Sequence, residues 1–334
     1  AVIATVLAVM VAAPFAALAG DSPQAKVTYP VKHGLSQPLS DLPAISPDAP
    51  APERYTEVNE RNTRLPEGIM NAEEPSGATD MAVQNMHFEN NMPTPSVNFE
   101  ALNNINGVYP PDTTGDVGPN HYVQWVNLSF AIYDKSGGLL GGPFNGNALW
   151  TGFGGSCETT NAGDPIVLYD HLADRWFMSQ FTFDNHQCIA VSQTADPLGT
   201  WYLYDYLADA DQGLFNDYPK FGVWPDGYYF SANMFGNGSA MAGVFERDAM
   251  LVGDPAQFIW IYTPDTAAQP SYSLLPADLD GLTLPPEGDP NTFVQMVDDA
   301  WGYDPPFDTD AIIIQEFAVD WDTPGNSTFT VAQV

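Results

Sequence analysis

The residues able to do chemistry in this sequence are mostly carboxylates. Asp116, Asp164 and Asp217 each stand at or near the start of a strand-like run, and Glu158 lies six residues before Asp164. Two carboxyl groups with separated pKa values, one on each side of a glycosidic bond, can protonate the leaving oxygen and assist attack at the sugar. Asp164, Asp217 and Glu158 are therefore the candidate catalytic groups for hydrolysis of a neutral glycan. Aspartate is also the commonest turn-capping residue, and that role competes at each position. Asp116, Trp150, Trp224 and Tyr228 are candidate ligand contacts, with Trp301 a further aromatic platform, because indole and phenol rings stack on sugar faces.

A second chemistry is cation binding. Asp298, Asp299, Asp304, Asp308 and Asp310 form a dense acidic stretch. Ca²⁺ takes six to eight oxygen ligands, so Asp298, Asp299 and Asp304 are candidate ligands of a structural Ca²⁺, although the spacing is not that of an EF-hand. A solvated acidic loop is the competing reading. His33, His87, His121, His171 and His186 lack zinc-ligand spacing. No Gly-x-Ser-x-Gly elbow points to a serine nucleophile. The two cysteines, Cys157 and Cys188, are an even pair and read as a disulfide in an oxidising compartment, with a pair of free thiols as the alternative.

Composition narrows the partners. The 334 residues carry 42 Asp+Glu against 9 Lys+Arg, a formal net charge of −33. Such a surface repels phosphate backbones and anionic headgroups, which argues against nucleic acid and membrane surfaces. An aromatic content of 13% is too high for a disordered acidic tail.

Residues 1–19 are apolar, uncharged and end in Ala17-Leu18-Ala19, as a signal peptide truncated at its start would, with a transmembrane anchor as the competing reading. Residues 20–97 contain repeated prolines and five of the nine basic residues, and read as an extended or disordered linker, with a short helix conceivable over 78–89. From residue 98 to 334 short β-rich runs alternate with Gly, Pro, Asn and Asp clusters. The stretch 122–133 has strand periodicity, and Asp134-Lys135-Ser136-Gly137-Gly138 should close a hairpin. A loose repeat begins near Asp116, Asp164, Asp217 and Asp289, with an insertion over 263–287 before the last unit. Its period suits four-stranded propeller blades. The expectation is an all-β fold, a β-propeller of four-stranded blades incomplete at its C-terminus, with a β-sandwich as the alternative.

The run Pro110-Pro111-Asp112-Thr113-Thr114-Gly115-Asp116-Val117-Gly118-Pro119-Asn120-His121-Tyr122-Val123, followed by Val126-Asn127, resembles the opening of a group of secreted bacterial β-propeller proteins. These are broadly similar to the sialidase and five-bladed glycosidase propellers. Thr194-Ala195-Asp196-Pro197-Leu198-Gly199-Thr200-Trp201 resembles the Asp-box hairpin of sialidase-like blades, with Gly three rather than two residues after Asp196. It is also similar to the Asp-Pro-x-Gly-x-Trp turn of five-bladed glycosidases. Sialidases hold the sugar carboxylate with three arginines, and beyond residue 98 this chain has only Arg175 and Arg247. The resemblance thus implies a secreted or cell-surface propeller, or a periplasmic one. Its expected role is binding glycan or protein without catalysis, the alternative being a glycoside hydrolase on neutral glycans.

Overall fold

The computed structural model describes residues 24–46, 93–235, 240–263, 272–297 and 310–333. The signal-peptide segment, the 78–89 helix, Trp301, Asp298, Asp299, Asp304 and Asp308 lie outside them. Nearly every described element is a strand, because Pro, Gly and Asn interrupt the apolar runs before a helix could propagate. Two four-residue helices, α1 (Ser156–Thr159) and α2 (Arg247–Met250), occur in connections.

The strands form four antiparallel sheets, each built on a four-stranded meander in chain order. The first contains β3 (Thr113–Val117), β4 (His121–Val126), β5 (Ser129–Asp134) and β6 (Leu139–Asn145). The second contains β7 (Ile166–Asp170), β8 (Arg175–Phe181), β9 (His186–Ser192) and β10 (Trp201–Leu207). The third runs through β11 (Phe215–Trp224), β12 (Gly227–Phe235), β13 (Ala240–Phe245) and β14 (Phe258–Tyr262). The fourth comprises β15 (Leu275–Pro276), β16 (Asn291–Val297), β17 (Ala311–Ala318) and β18 (Thr328–Gln333).

Two strands fall in the stretch read as linker. β1 (Lys26–Thr28) pairs antiparallel with β14, and β2 (Lys32–Leu35) pairs with β10. Each makes its sheet five-stranded. In the described part of that stretch, residues 26–28 and 32–35 are extended and paired into sheets. The unit starts also shift. β15 lies inside the expected insertion, so Asp289 leads the second strand of the fourth sheet rather than the first. Asp116 lies within β3, and the aspartate just ahead of that strand is Asp112.

Strand alternation explains the core. In the second sheet Trp176, Met178, Cys188, Ala190, Trp201 and Leu203 face Trp125, Phe130, Ile132 and Phe144 of the first. Phe177, Ile189, Val191 and Tyr206 point the other way, toward Phe221, Phe230, Phe245 and Phe258 of the third. The opposite face of the third sheet, with Tyr229, Val244 and Ile259, meets Phe293 and Phe317 of the fourth. Burial of each such side chain contributes about 1.5–3 kcal/mol. The inner sheets are apolar on both faces, which gives their strands near-continuous apolar runs.

The first strands of successive sheets adjoin. The Val167 N–H donates to Thr114 Oγ1 at 3.3 Å and the Tyr169 N–H to Asp116 Oδ2 at 2.7 Å, a constant offset that makes β3 and β7 parallel neighbours. The Val223 N–H donates to Asp278 Oδ1 at 2.7 Å, and the Leu279 N–H to Val223 O at 3.1 Å, joining β11 to the residues after β15. Approach there is so close that a Cβ on Gly222 would stand 2.3 Å from Ala277 O.

The expected hairpin at 134–138 forms between β5 and β6. Asp134 Oδ1 accepts the Ser136 and Gly138 N–H groups at 2.8 Å each, and Gly137 takes φ 92°. The Asp196 turn links β9 to β10, with the Leu198 N–H on Asp196 Oδ1 at 3.0 Å. The Trp201 indole N–H reaches Pro197 O at 3.0 Å.

Candidate functional site

Because the inner strands run side by side in one direction, their leading ends share one end of the molecule. There Asp112 precedes β3, Asp164 precedes β7, and Asp217 is the third residue of β11. The Tyr218 N–H donates to Asp164 Oδ2 at 3.3 Å, tying the second strand lead to the third. Asp164 is also one of the groups that act on the Asp112 carboxyl.

The backbone here is forced. Asp112 has φ 40°, Asp164 φ 42° and Tyr218 φ 53°. Non-glycine residues in this left-handed region cost on the order of 1–3 kcal/mol each and collect where function requires them. A bulge between Asp217 and Lys220 inserts a residue relative to β12, the device by which strands re-aim side chains. It leaves Tyr218 43% exposed and places Lys220 among the carboxylates.

Burial pushes the Asp112 carboxyl above its ordinary range. The Asn127 amide, the Lys220 charge and the Asp164 hydrogen bond oppose that rise in part. Asn127 Nδ2 donates to Asp112 Oδ2 at 2.6 Å and to Pro110 O at 3.2 Å. Burial lowers the Lys220 ammonium from its usual value, against the pull of Asp164, Asp112 and Asp217. Its Nζ also sits 3.7 Å from the centroid of the Tyr218 ring, a cation–π contact. Three carboxyl groups, one cation, one amide and one half-exposed ring can accept and donate hydrogen bonds to a polyhydroxylated ligand.

The structure thus brings Asp164 and Asp217 to one end, around the same lysine, and separates the other candidates from them. Glu158 spends both carboxylate oxygens on the glycine-rich loop before α1, accepting the Gly152 N–H at 2.9 Å and the Gly154 N–H at 2.5 Å. These bonds lower its pKa. Its charged neighbour is Lys32 of β2, on the outermost strand of the second sheet, whereas Asp164 leads the innermost. Trp150 and Tyr228, candidate ligand contacts, are fully buried. Trp150 packs between the first two sheets. The Tyr228 hydroxyl donates to Asp170 Oδ2 at 2.8 Å, and that carboxylate also pairs with Arg247 at 2.7 Å. Trp224 is half-buried, its indole N–H on Asp289 O at 3.2 Å.

Asp116 lies at the trailing end of β3, opposite the carboxylate cluster. Its Oδ1 accepts the Val117 N–H at 2.6 Å and its Oδ2 the Tyr169 N–H. It lines a cavity of about 310 Å³ with Gly118, Tyr169, His171 and Asp280. His171 Nε2 bonds Gly281 O at 2.8 Å across that end, so the ring nitrogen there carries the hydrogen. Cys157 and Cys188 form the expected disulfide. Among the described residues no group of three His, Cys, Asp or Glu is disposed to hold a metal ion. Among them, too, no helix is long and apolar enough to cross a membrane.

Asp112, Asn127, Tyr218 and Lys220 were missed by sequence reasoning. A signal existed: Asp112-Thr113-Thr114 stands to its strand as Asp164-Pro165-Ile166 does to the next.

No family model matches the chain, and no curated protein does. Solved structures give distant likenesses. A family-43 β-1,3-galactosidase has 12% identity and a TM-score of 0.32, over 65% of this chain and 54% of that one. An exo-β-1,3-galactanase from Phanerochaete chrysosporium has 9% identity and a TM-score of 0.33, over 66% and 59%. A putative glycosidase from Bacteroides thetaiotaomicron has 10% identity and a TM-score of 0.30, over 66% and 71%. The chain spans a little over half the length of the first two. The class defined by the fold is therefore an all-β protein of consecutive four-stranded antiparallel meanders.

Proposed function

We propose that the meanders are blades of a β-propeller and that the chain is a secreted or cell-surface module that binds neutral glycan at the leading ends of its inner strands. The observation that carries this reading is the convergence of Asp112, Asp164, Asp217 and Lys220 at one end, with left-handed backbone at Asp112, Asp164 and Tyr218. Carboxylates accept from sugar hydroxyls, and Tyr218 offers a ring for a sugar face. The overall negative field disfavours an anionic sugar. The disulfide is compatible with an oxidising, extracellular setting. A structural Ca²⁺ remains proposed for the 298–304 stretch, outside the described residues.

A second reading is hydrolysis of the same neutral glycans. It is favoured by the neighbouring Asp112 and Asp164 carboxyls, the first of which burial raises above its ordinary pKa. Asp217 would be the partner carboxylate.

Affinity electrophoresis through hydroxyethylcellulose, laminarin and galactan, with reducing ends assayed in parallel, tests both readings. The native chain should be retarded by at least one polysaccharide without releasing reducing ends. Asp164→Asn should weaken that retention about tenfold, the equivalent of one charge-assisted hydrogen bond. Release of reducing ends that disappears in both Asp164→Asn and Asp217→Asn would establish hydrolysis instead. Neither retardation nor release on any of the three removes the proposal.

A further inference from the structure

The outward face of the first sheet carries a feature separate from the leading-end cluster. Alternation in β4 sends Val123 and Trp125 into the core, and Tyr122, Gln124 and Val126 to the opposite face. The chain before β3 folds back over that face, where Phe99 and Leu102 pack against Tyr122, Val126 and Tyr133. Between this strap and the sheet lies a cavity of about 490 Å³. Its walls include Asn98, Phe99, Glu100, Asn103, Tyr122 and Gln124. The volume is within the range of small-ligand sites.

The lining is built and has a definite chemistry. Phe99 stands edge-on to Tyr122, with centroids 6.2 Å apart and planes at 79°. Tyr122 stacks on Tyr133 at 6.1 Å. The Tyr122 hydroxyl lies over Gly115, where a Cβ would stand 3.1 Å from it. Gln124 is 9% exposed, and its Oε1 accepts the Leu102 N–H at 2.9 Å, which fixes the amide. Among the described residues no lysine or arginine lines the cavity, and the one charged group in the lining is the Glu100 carboxylate.

We infer that this lateral cavity is a second carbohydrate-binding site, specific for a neutral pyranose chain. Aromatic rings supply the face on which sugar C–H groups stack. Three side-chain amides supply both donors and acceptors for hydroxyls, which a pyranose ring presents in the same mixture. A carboxylated or sulfated sugar would meet Glu100 and the negative field of the chain, with no cation among the described lining residues to compensate. The inference shares a ligand class with the proposed function but none of its residues. Two sites on different faces would let one chain grip a polymer at separate points, raising avidity without new contacts at either.

The test uses the full chain in the same polysaccharide gels. Asn98→Ala/Asn103→Ala alters exposed amides outside the core, and Phe99→Ala removes the stacking ring. Each should weaken retention about three- to tenfold, with unchanged thermal unfolding for the Asn pair. Combined with Asp164→Asn, the Asn pair should abolish retention. Retention lost in Asp164→Asn but native in both lateral variants overturns the second site and leaves the first. Retention kept in Asp164→Asn and lost in the lateral variants supports the second site and overturns the first. No retention by the native chain overturns both.

Discussion

His186 shows how a single side chain couples this fold to pH. Its Nδ1 lies 2.5 Å from Asp205 Oδ1, and its Nε2 lies 3.9 Å from Asp184 Oδ2. Asp184 in turn accepts the Ser156 hydroxyl at 2.6 Å, beside the disulfide that begins at Cys157. The Asp205 hydrogen bond holds the imidazolium, so the pKa of His186 is raised above 6.5 despite partial burial. A raised folded-state pKa contributes stability that is complete below the unfolded value and lost as pH rises through the folded one. The native chain should therefore exceed Asp205→Asn in unfolding free energy by about 1–3 kcal/mol at pH 6. The gap should narrow by pH 8.5, as measured by urea denaturation. A gap that widens with pH would contradict the assignment.

At the scale of elements, the strands from the proline-rich leader decide how two sheets end. β2 occupies the open edge of β10 and β1 that of β14. Leu39, just beyond β2, is fully buried in the first core, and the Trp201 N–H is satisfied by Ser36 Oγ at 2.9 Å. Lys26 lies 4.7 Å from the centroid of the Trp260 ring and pairs with Asp211. A chain starting at residue 24 should stay monodisperse in size-exclusion chromatography. One starting at residue 43 should aggregate, because it bares two sheet edges and unseats Leu39, a loss of about 1.5–3 kcal/mol from that side chain alone. Equal melting temperatures for the two would show that these strands decorate the sheets without stabilising them. The turn at 134–138 was legible because a turn is specified by four or five consecutive residues. The pairing of residue 33 with residue 204 was not, because no local pattern in a proline-rich segment names a partner 171 positions away.

For the whole molecule, the charge of −33 is the dominant electrostatic fact. Carboxylates spread over one surface repel one another across distances that salt screens, with a Debye length of about 10 Å at 0.1 M ionic strength. Sodium chloride raised from about 0.01 M to 0.5 M should increase the melting temperature, most steeply at the low end, where screening changes fastest. A melting temperature that falls with salt would show that ion pairs such as Asp170–Arg247, rather than repulsion, control the response.

The sequence by itself determined the all-β class, the turn chemistry, the disulfide and the acidic surface, since each depends on composition or on residues within one strand and its turn. It also marked Asp164 and Asp217 as leading residues. The tertiary structure decided which aromatics are core and which carboxylates meet. Trp150 and Tyr228 look like sugar platforms in isolation, but the packing of sheet on sheet closes over them. Asp112, Asp164, Asp217 and Lys220 lie as much as 108 residues apart, and they converge only because three inner strands run parallel in a common register. Register between sheets is fixed by side-chain packing and a few backbone bonds across the seam, and no stretch of sequence a few residues long contains that information.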